Sequence, residues 1–174
     1  MKKMIIFILI IIVLAIIAFF TLPWIIIAIG TTLKPNPSCP EITYGEFPFR
    51  LIYEINEKKI EVEDTLICEY DGIGMNEGQG KYRKWKEYLK SNNKEKAVLL
   101  LNDGARKLYC FIGSAEYYMN DEKYPEHRPL TPRVYMVKLD NKDTAIFIQQ
   151  ELLEIYKINL ISWEFTEPIT NSFK

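Results

Sequence analysis

The chain begins with an apolar run, MIIFILIIIVLAIIAFFTLPWIIIAI at residues 4–29, that decides how the rest of it is organised. No charged side chain interrupts the sequence between Lys3 and Lys34. A helix needs about 20 apolar residues to cross the hydrocarbon core of a bilayer, and this run exceeds that length. The sequence therefore predicts one transmembrane helix, with the lipid bilayer as the partner of Met4–Ile29.

The length of the run distinguishes a permanent anchor from a removable signal peptide. A signal peptide has an apolar core of about 7–15 residues and ends at a small-residue cleavage site. The longer run here continues through Gly30-Thr31-Thr32, which favours an uncleaved signal-anchor. A hairpin bent at Pro23 would leave only residues 24–29 for the return, which is too short to cross. We therefore expect a single-pass protein.

The distribution of charge predicts the orientation of the chain in the membrane and argues against one class of partner. Lys2 and Lys3 precede the run and Lys34 follows it, which favours a cytoplasmic N-terminus and a C-terminal domain outside the cell membrane. The formal charge is −1, and removing these three lysines leaves −4 on the rest. A mildly acidic domain argues against nucleic acid as a partner. Frequent Ile, Lys, Asn and Tyr indicate a bacterial, AT-rich genome.

The composition divides the chain into three parts. Residues 1–33 form a cytoplasmic tail and the transmembrane helix. Residues 34–40 form a tether with three prolines, which we expect to be a stiff spacer of about 20 Å that lifts the domain off the bilayer. Residues 41–174 have the length of one extracytoplasmic domain.

A long antiparallel hairpin opens the domain. Apolar residues alternate with others from Phe47 to Ile55, and a second apolar row extends from Ile60 to Tyr70. Asp64 lies in that second row, where a carboxylate needs a partner, and we expect a β-bulge or a bend near Glu63-Asp64.

Further elements give the fold class. Tyr82, Trp85 and Leu89 lie at helical spacing, which predicts a helix over Lys81–Lys90. Residues 144–157 also have a helical pattern, although Ala145-Ile146-Phe147-Ile148 are equally typical of a strand. Gly113–Asn120 is expected to hold a helical turn, and three more strands and a last one are predicted at residues 97–101, 107–112, 134–139 and 159–165. The prediction is an α+β domain, an antiparallel sheet with about two helices on one face.

The segment from Asp71 to Lys90 is the candidate ligand-binding site. Its glycines lie between a predicted strand and helix, where backbone N–H groups can cradle an anion, although the spacing matches no nucleotide-binding motif. Cations on the predicted helix would contact anionic lipid headgroups or envelope polymers. The alternatives are a structural loop and an ordinary solvated surface helix. The candidate residues are Gly72, Gly74, Gly78, Gly80, Tyr82, Lys84, Trp85 and Lys86.

Catalytic and metal-binding motifs are weak in this sequence. The single histidine, His127, has no ligand cluster beside it, so we expect no metal and no cofactor. Cys68 and Cys110 lie in predicted strands and are either a disulfide pair or two buried thiols. The favoured function is a non-enzymatic envelope interaction or ligand-binding module. The alternative is an envelope hydrolase that uses His127 or loop carboxylates, of which there are five: Asp71, Glu77, Glu116, Asp121 and Glu126.

Overall fold

The fold is one long helix followed by two antiparallel β-sheets and two short helices. The computed structural model describes residues 2–76, 78–92, 94–121, 132–138 and 144–174. The helices are α1 (Lys2–Leu33), α2 (Ala115–Tyr118) and α3 (Gln149–Tyr156). The strands are β1 (Tyr44–Ile55), β2 (Lys58–Asn76), β3 (Gly80–Leu89), β4 (Val98–Asn102), β5 (Arg106–Phe111), β6 (Arg133–Lys138), β7 (Thr144–Phe147) and β8 (Ile158–Phe165). The predicted α+β class is confirmed, with two sheets rather than one.

The chain divides into two compact units. One contains Met1–Ser38 and Gly72–Lys84, and the other contains Cys39–Asp71 and Trp85–Lys174. The boundary passes through β2 and β3, so each unit holds one end of both strands.

Helix α1 is the part of the chain that can cross a membrane. It extends four residues beyond the predicted end at Ile29 and includes Pro23 without interruption, which agrees with one span and not a hairpin. Its apolar side chains are exposed in the isolated chain. Length and hydropathy make α1 compatible with a membrane anchor.

The first sheet has the strand order β3-β2-β1-β8. Strands β1 and β2 form the predicted hairpin, with an unbroken ladder from Tyr44 opposite Glu69 to Ile55 opposite Lys58. The expected bulge near Asp64 is wrong, because Asp64 pairs in register with Phe49. Its carboxylate needs no bulge since it accepts hydrogen bonds from the backbone N–H of Ser91, at 3.2 Å, and from the Ser91 hydroxyl.

The second sheet has the strand order β4-β5-β6-β7 and packs against the same apolar core as the first. Leu51 and Leu66 of the first sheet and Leu108 and Val134 of the second are 0% exposed. The predicted turn near Gly113–Asn120 is α2, whose Tyr118 packs in the core with its ring 4.6 Å from that of Phe47. The core therefore lies between two sheets, and α2 contributes to it.

The C-terminal residues hold the start of the domain in place. Asn171 is buried, and its side-chain amide accepts a hydrogen bond from the N–H of Ile42 at 3.0 Å and donates one to the carbonyl of Ile42 at 2.9 Å. The N–H of Lys174 donates to the carbonyl of Cys39. Because these bonds join residues about 130 apart, no local sequence pattern predicts them.

The helix predicted over Lys81–Lys90 is wrong, because this segment is strand β3. Trp85 and Leu89 are four residues apart, and this spacing puts two side chains on one face of a helix and equally on one face of a strand. Glu87 lies on the same strand face between them, and its charge interrupts the apolar alternation. Its carboxylate accepts a hydrogen bond from the N–H of Ala115 at 2.7 Å, which makes the inward position tolerable.

The segment predicted as a helix over residues 144–157 is a strand followed by a helix. Strand β7 precedes α3, so the strand alternative left open for residues 145–148 describes the structure, one residue earlier in the chain. The side chain of Glu151 accepts a hydrogen bond from the N–H of Ile148 at the start of α3. The helix ends where Lys157 adopts a φ of 56°, in the left-handed region.

We expect Leu66→Ala to destabilise the domain by about 2–5 kcal/mol, because Leu66 is completely buried and the shorter side chain leaves a cavity. Leu99→Ala is the matched control, since Leu99 is 44% exposed and its truncation should cost less than about 1 kcal/mol. Urea-induced unfolding of the full chain in detergent, followed by circular dichroism, measures both. Equal midpoints for the two variants would contradict the two-sheet core.

Candidate functional site

The candidate segment is a two-stranded ribbon, and it is divided between the two units. Gly72, Gly74, Gly78, Gly80, Tyr82 and Lys84 belong to the unit that contains α1. We call residues 72–84 the ribbon tip. Trp85 and Lys86 belong to the other unit. The structure therefore provides two candidate sites where the sequence suggested one.

The four glycines shape the ribbon tip. Gly72 and Gly80 have φ angles of 84° and 75°, which glycine adopts without strain. A Cβ at Gly74 would lie 2.5 Å from the ring of Tyr82. Gly78 lies in the turn, where the side chain of Asn76 accepts a hydrogen bond from the N–H of Gln79 at 2.7 Å. Turn geometry and close packing account for these glycines without an anion.

The ribbon tip contacts the C-terminal end of α1. The ammonium group of Lys81 donates a hydrogen bond to the carbonyl of Lys34 at 2.8 Å, and Arg83 donates one to the carbonyl of Ser38 at 3.2 Å. The last turn of α1 contains no basic residue of its own. Lys81 therefore supplies a cation just beyond the end of the helix, where the partial charge of the helix dipole is negative.

The surface of the ribbon tip combines apolar and cationic side chains. Met75 is 53% exposed and Ile73 is 39% exposed. Lys84 is also exposed, and a Cβ at Gly80 would lie 3.9 Å from Thr31 in the last turns of α1. The ribbon tip therefore lies beside the C-terminal end of α1.

Trp85 and Lys86 are both engaged by neighbouring side chains. Trp85 is 9% exposed, its indole N–H donates to the carboxylate of Asp121 at 2.8 Å, and its ring meets that of Tyr70 edge to face. Lys86 forms an ion pair with Asp71 at 2.7 Å. Trp85 is thus a core residue with one polar contact, and Lys86 is a surface cation beside it.

A groove lies beside the C-terminal half of β3. It has a volume of about 460 Å³ and is lined by residues 85–88 together with Lys96 and Glu116. Lys96 forms an ion pair with Glu87 at 3.3 Å, which joins two of the residues that line the groove. The sequence could not predict this groove, because Lys96 and Glu116 come to it from other parts of the chain.

A cluster of carboxylates surrounds Arg50 on the outer face of the first sheet. Glu61 lies 2.5 Å, Glu63 3.4 Å and Glu164 3.6 Å from the guanidinium group. The hydrogen bond to Glu61 is the main cause that raises the pKa of Arg50. Each carboxylate shares this cation and is exposed, whereas the general acid of a glycosidase lies in an apolar pocket. Pairing of β1 with β2 and β8 brings these residues together. Predicting the cluster from the sequence would require the register of both strand pairs.

Three of the five loop carboxylates proposed for catalysis lie among the described residues. Asp71 pairs with Lys86, Asp121 accepts the Trp85 bond, and Glu116 lies in the first turn of α2. Glu77, Glu126 and His127 lie outside the residues that the structure describes. Among the described residues, no group of His, Cys, Asp and Glu side chains is arranged to hold a metal ion.

Comparison with known proteins adds no identity. The chain matches no protein-family model, no curated protein and no solved structure.

Cys68 and Cys110 are buried free thiols, the second of the two alternatives that the sequence left open. Burial raises the pKa of each thiol to about 12, and for Cys68 the carboxylates of Glu87 and Glu116 add to the shift. Both therefore stay protonated at neutral pH, whereas a reactive cysteine needs its thiolate. Cys39 in the tether is exposed.

We expect one thiol of the native chain, Cys39, to react with a maleimide at pH 7, and all three to react in denaturant without reductant. Mass spectrometry of the labelled chain counts the modified thiols. Cys39→Ser should abolish native labelling and leave two thiols in denaturant. A single reactive thiol in denaturant before reduction would show that Cys68 and Cys110 are bonded.

Proposed function

We propose that the chain is a single-pass, non-enzymatic module of a bacterial cell membrane whose ribbon tip rests on the anionic headgroups of the bilayer. The observation that carries the proposal is the contact between Lys81 and the carbonyl of Lys34, at 2.8 Å. It keeps the ribbon tip beside the residue at which the apolar helix ends. A segment at that position meets the headgroup region when α1 spans the membrane.

The side chains of the ribbon tip match the chemistry of the membrane interface. Ile73 and Met75 offer apolar surface, and Tyr82 is an aromatic residue of the kind enriched at interfaces. Lys34, Lys81 and Lys84 are the neighbouring lysines of the same unit. A lysine near an anionic membrane contributes about 1 kcal/mol of attraction, which salt weakens. The combination favours a lipid surface over a single small ligand.

The proposed orientation has the N-terminus in the cytoplasm and the domain outside. Lys2 and Lys3 support it, because the positive-inside rule counts the cations close to the span. The cations of the ribbon tip follow the span by more than 40 residues and reach it only after folding, so they weigh less in insertion. Envelope interaction is then the role of the outer domain.

We expect a spin label at the ribbon tip to lie at headgroup depth in anionic nanodiscs. The label is attached to Gly78→Cys in a Cys39→Ser background, because a Cβ at Gly78 meets only Asn76 Oδ1, at 3.8 Å. Its depth is read by electron paramagnetic resonance with oxygen and nickel as relaxing agents. A label as accessible to nickel as one at Lys58→Cys, the first residue of β2, would contradict the proposal.

Charge reversal tests the headgroup contact itself. Lys84→Glu should move the Gly78→Cys label toward water in nanodiscs with about 30% anionic lipid, and should have little effect in zwitterionic nanodiscs or at about 1 M salt. Lys58→Glu is the matched control, since Lys58 is exposed and its substitution changes the net charge by the same amount as Lys84→Glu. The same response from both variants would show that net charge acts and that the ribbon tip does not.

A further inference from the structure

An apolar pocket beside α3 is lined by residues from an edge strand of each sheet. Strand β7 is at the edge of the second sheet, β8 is at the edge of the first, and α3 connects them along the chain. The pocket has a volume of about 340 Å³, which is within the range of about 300–1,000 Å³ that small-molecule sites occupy. All of its lining residues belong to the unit that does not contain α1.

Most of the lining consists of apolar side chains. Leu152 and Leu160 are buried core residues, and the half-buried ring of Trp163 packs against the same core. Ile146 and Ile148 also line the pocket, and they are 71% and 64% exposed. Covering exposed apolar side chains with an apolar ligand removes them from water, which is favourable. The lining therefore favours a hydrocarbon group as the main part of a ligand.

The polar part of the lining is one cation and one amide. Arg133 is the only charged residue among the described residues that line the pocket, and it is exposed. In the described part of the chain, no carboxylate pairs with its guanidinium group. An unpaired guanidinium can bind a carboxylate through two parallel hydrogen bonds. The charge of the lining therefore favours a ligand with an anionic head.

The backbone at the pocket is already engaged by α3. The N–H of Ile148 donates to the carboxylate of Glu151 at 3.1 Å, and its carbonyl accepts from the N–H of Leu152 at 3.1 Å. The side-chain amide of Gln149 donates to the carbonyl of Leu160 at 3.0 Å. An added peptide strand would need such backbone groups for its own hydrogen bonds. Side chains are the remaining contact surface, which favours a hydrocarbon chain over a peptide.

We propose that this pocket binds a free fatty acid. Its hydrocarbon chain packs against Ile148, Leu152 and Trp163, and its carboxylate pairs with the guanidinium group of Arg133. A cationic amphiphile would meet Arg133 as a like charge, and an uncharged one would leave the guanidinium unpaired. The site lies in the unit that does not contain α1, so it stands or falls independently of the contact between the ribbon tip and the bilayer.

Quenching of Trp163 fluorescence tests the proposal on the full chain in zwitterionic nanodiscs. A Trp24→Phe background removes the indole of α1, and the probe is bromododecanoic acid, because bromine quenches an indole at short range. The quenching should saturate, and unbrominated dodecanoic acid should reverse it. Quenching that does not saturate, or that persists after Trp163→Phe, would overturn the site.

Two further probes test the class of ligand. Bromododecyltrimethylammonium should bind about tenfold more weakly than the acid, because its head carries the charge of Arg133. Equal binding of the two would overturn the pairing with the carboxylate. An octapeptide of alternating Val and Thr should not displace the acid, and displacement would assign the pocket to a peptide and overturn the proposal.

Variants of the lining locate the binding. Arg133→Ala should weaken binding of the acid about threefold to fivefold, the size expected for one exposed ion pair, and Arg133→Lys should weaken it less. Ile148→Ser should weaken it at least about fivefold, since it removes an apolar wall while serine is a favourable N-cap for α3. Leu153→Ser is the matched control on α3, because Leu153 is exposed and outside the lining, and it should leave binding within about twofold. An equal loss in Ile148→Ser and Leu153→Ser would overturn the assignment.

Discussion

The apolar core shared by the two sheets is the constraint on which the folded domain depends. Each sheet has one face in this core, and neither sheet can bury that face without the other. Side chains alternate along a strand, so every residue that enters the core sends its neighbours to the opposite face. Leu51 is completely buried while Arg50 beside it binds three carboxylates outside. Surface chemistry in this domain is therefore fixed by the register that buries the core.

The part of this arrangement that depends on local sequence patterns could be predicted. Period-two alternation and a polar turn were sufficient to predict β1 and β2 as a hairpin, and short apolar runs predicted β4, β5, β6 and β8, whereas β3 was predicted as a helix. The division into two sheets could not be predicted in the same way. It depends on pairs between distant strands, such as Phe49 of β1 opposite Phe165 of β8. Distant pairing leaves no period in the sequence, because each strand needs only one apolar face whichever neighbour it has.

The candidate site was also only partly predictable: its composition was visible in the sequence, and its position in the fold was not. Clustered glycines and cations identified an unusual segment, but the four-residue spacing of Trp85 and Leu89 fits both a helix and a strand. As a strand, the segment has no helix N-terminus at which glycines could cradle an anion. The contact that gives the ribbon tip its position joins Lys81 and Lys34, which are 47 residues apart. The last turn of α1 contains no basic residue, and this absence indicates that a cation from elsewhere in the chain contacts the helix end. It does not identify Lys81 as the residue that donates the hydrogen bond.

Strand β3 shows how one segment serves three surroundings at once. Trp85 and Leu89 face the core, Lys86 faces outward, and the backbone groups between them point along the sheet. The inward carboxylate of Glu87 accepts a hydrogen bond from the N–H of Ala115 and so attaches the start of α2 to β3. An aliphatic residue at this position would restore the apolar alternation of the strand, but it would leave the N–H of Ala115 without this partner. The charged residue that interrupts the strand pattern in the sequence is therefore the one that joins two distant segments of the chain, because its burial is tolerable only with that hydrogen bond.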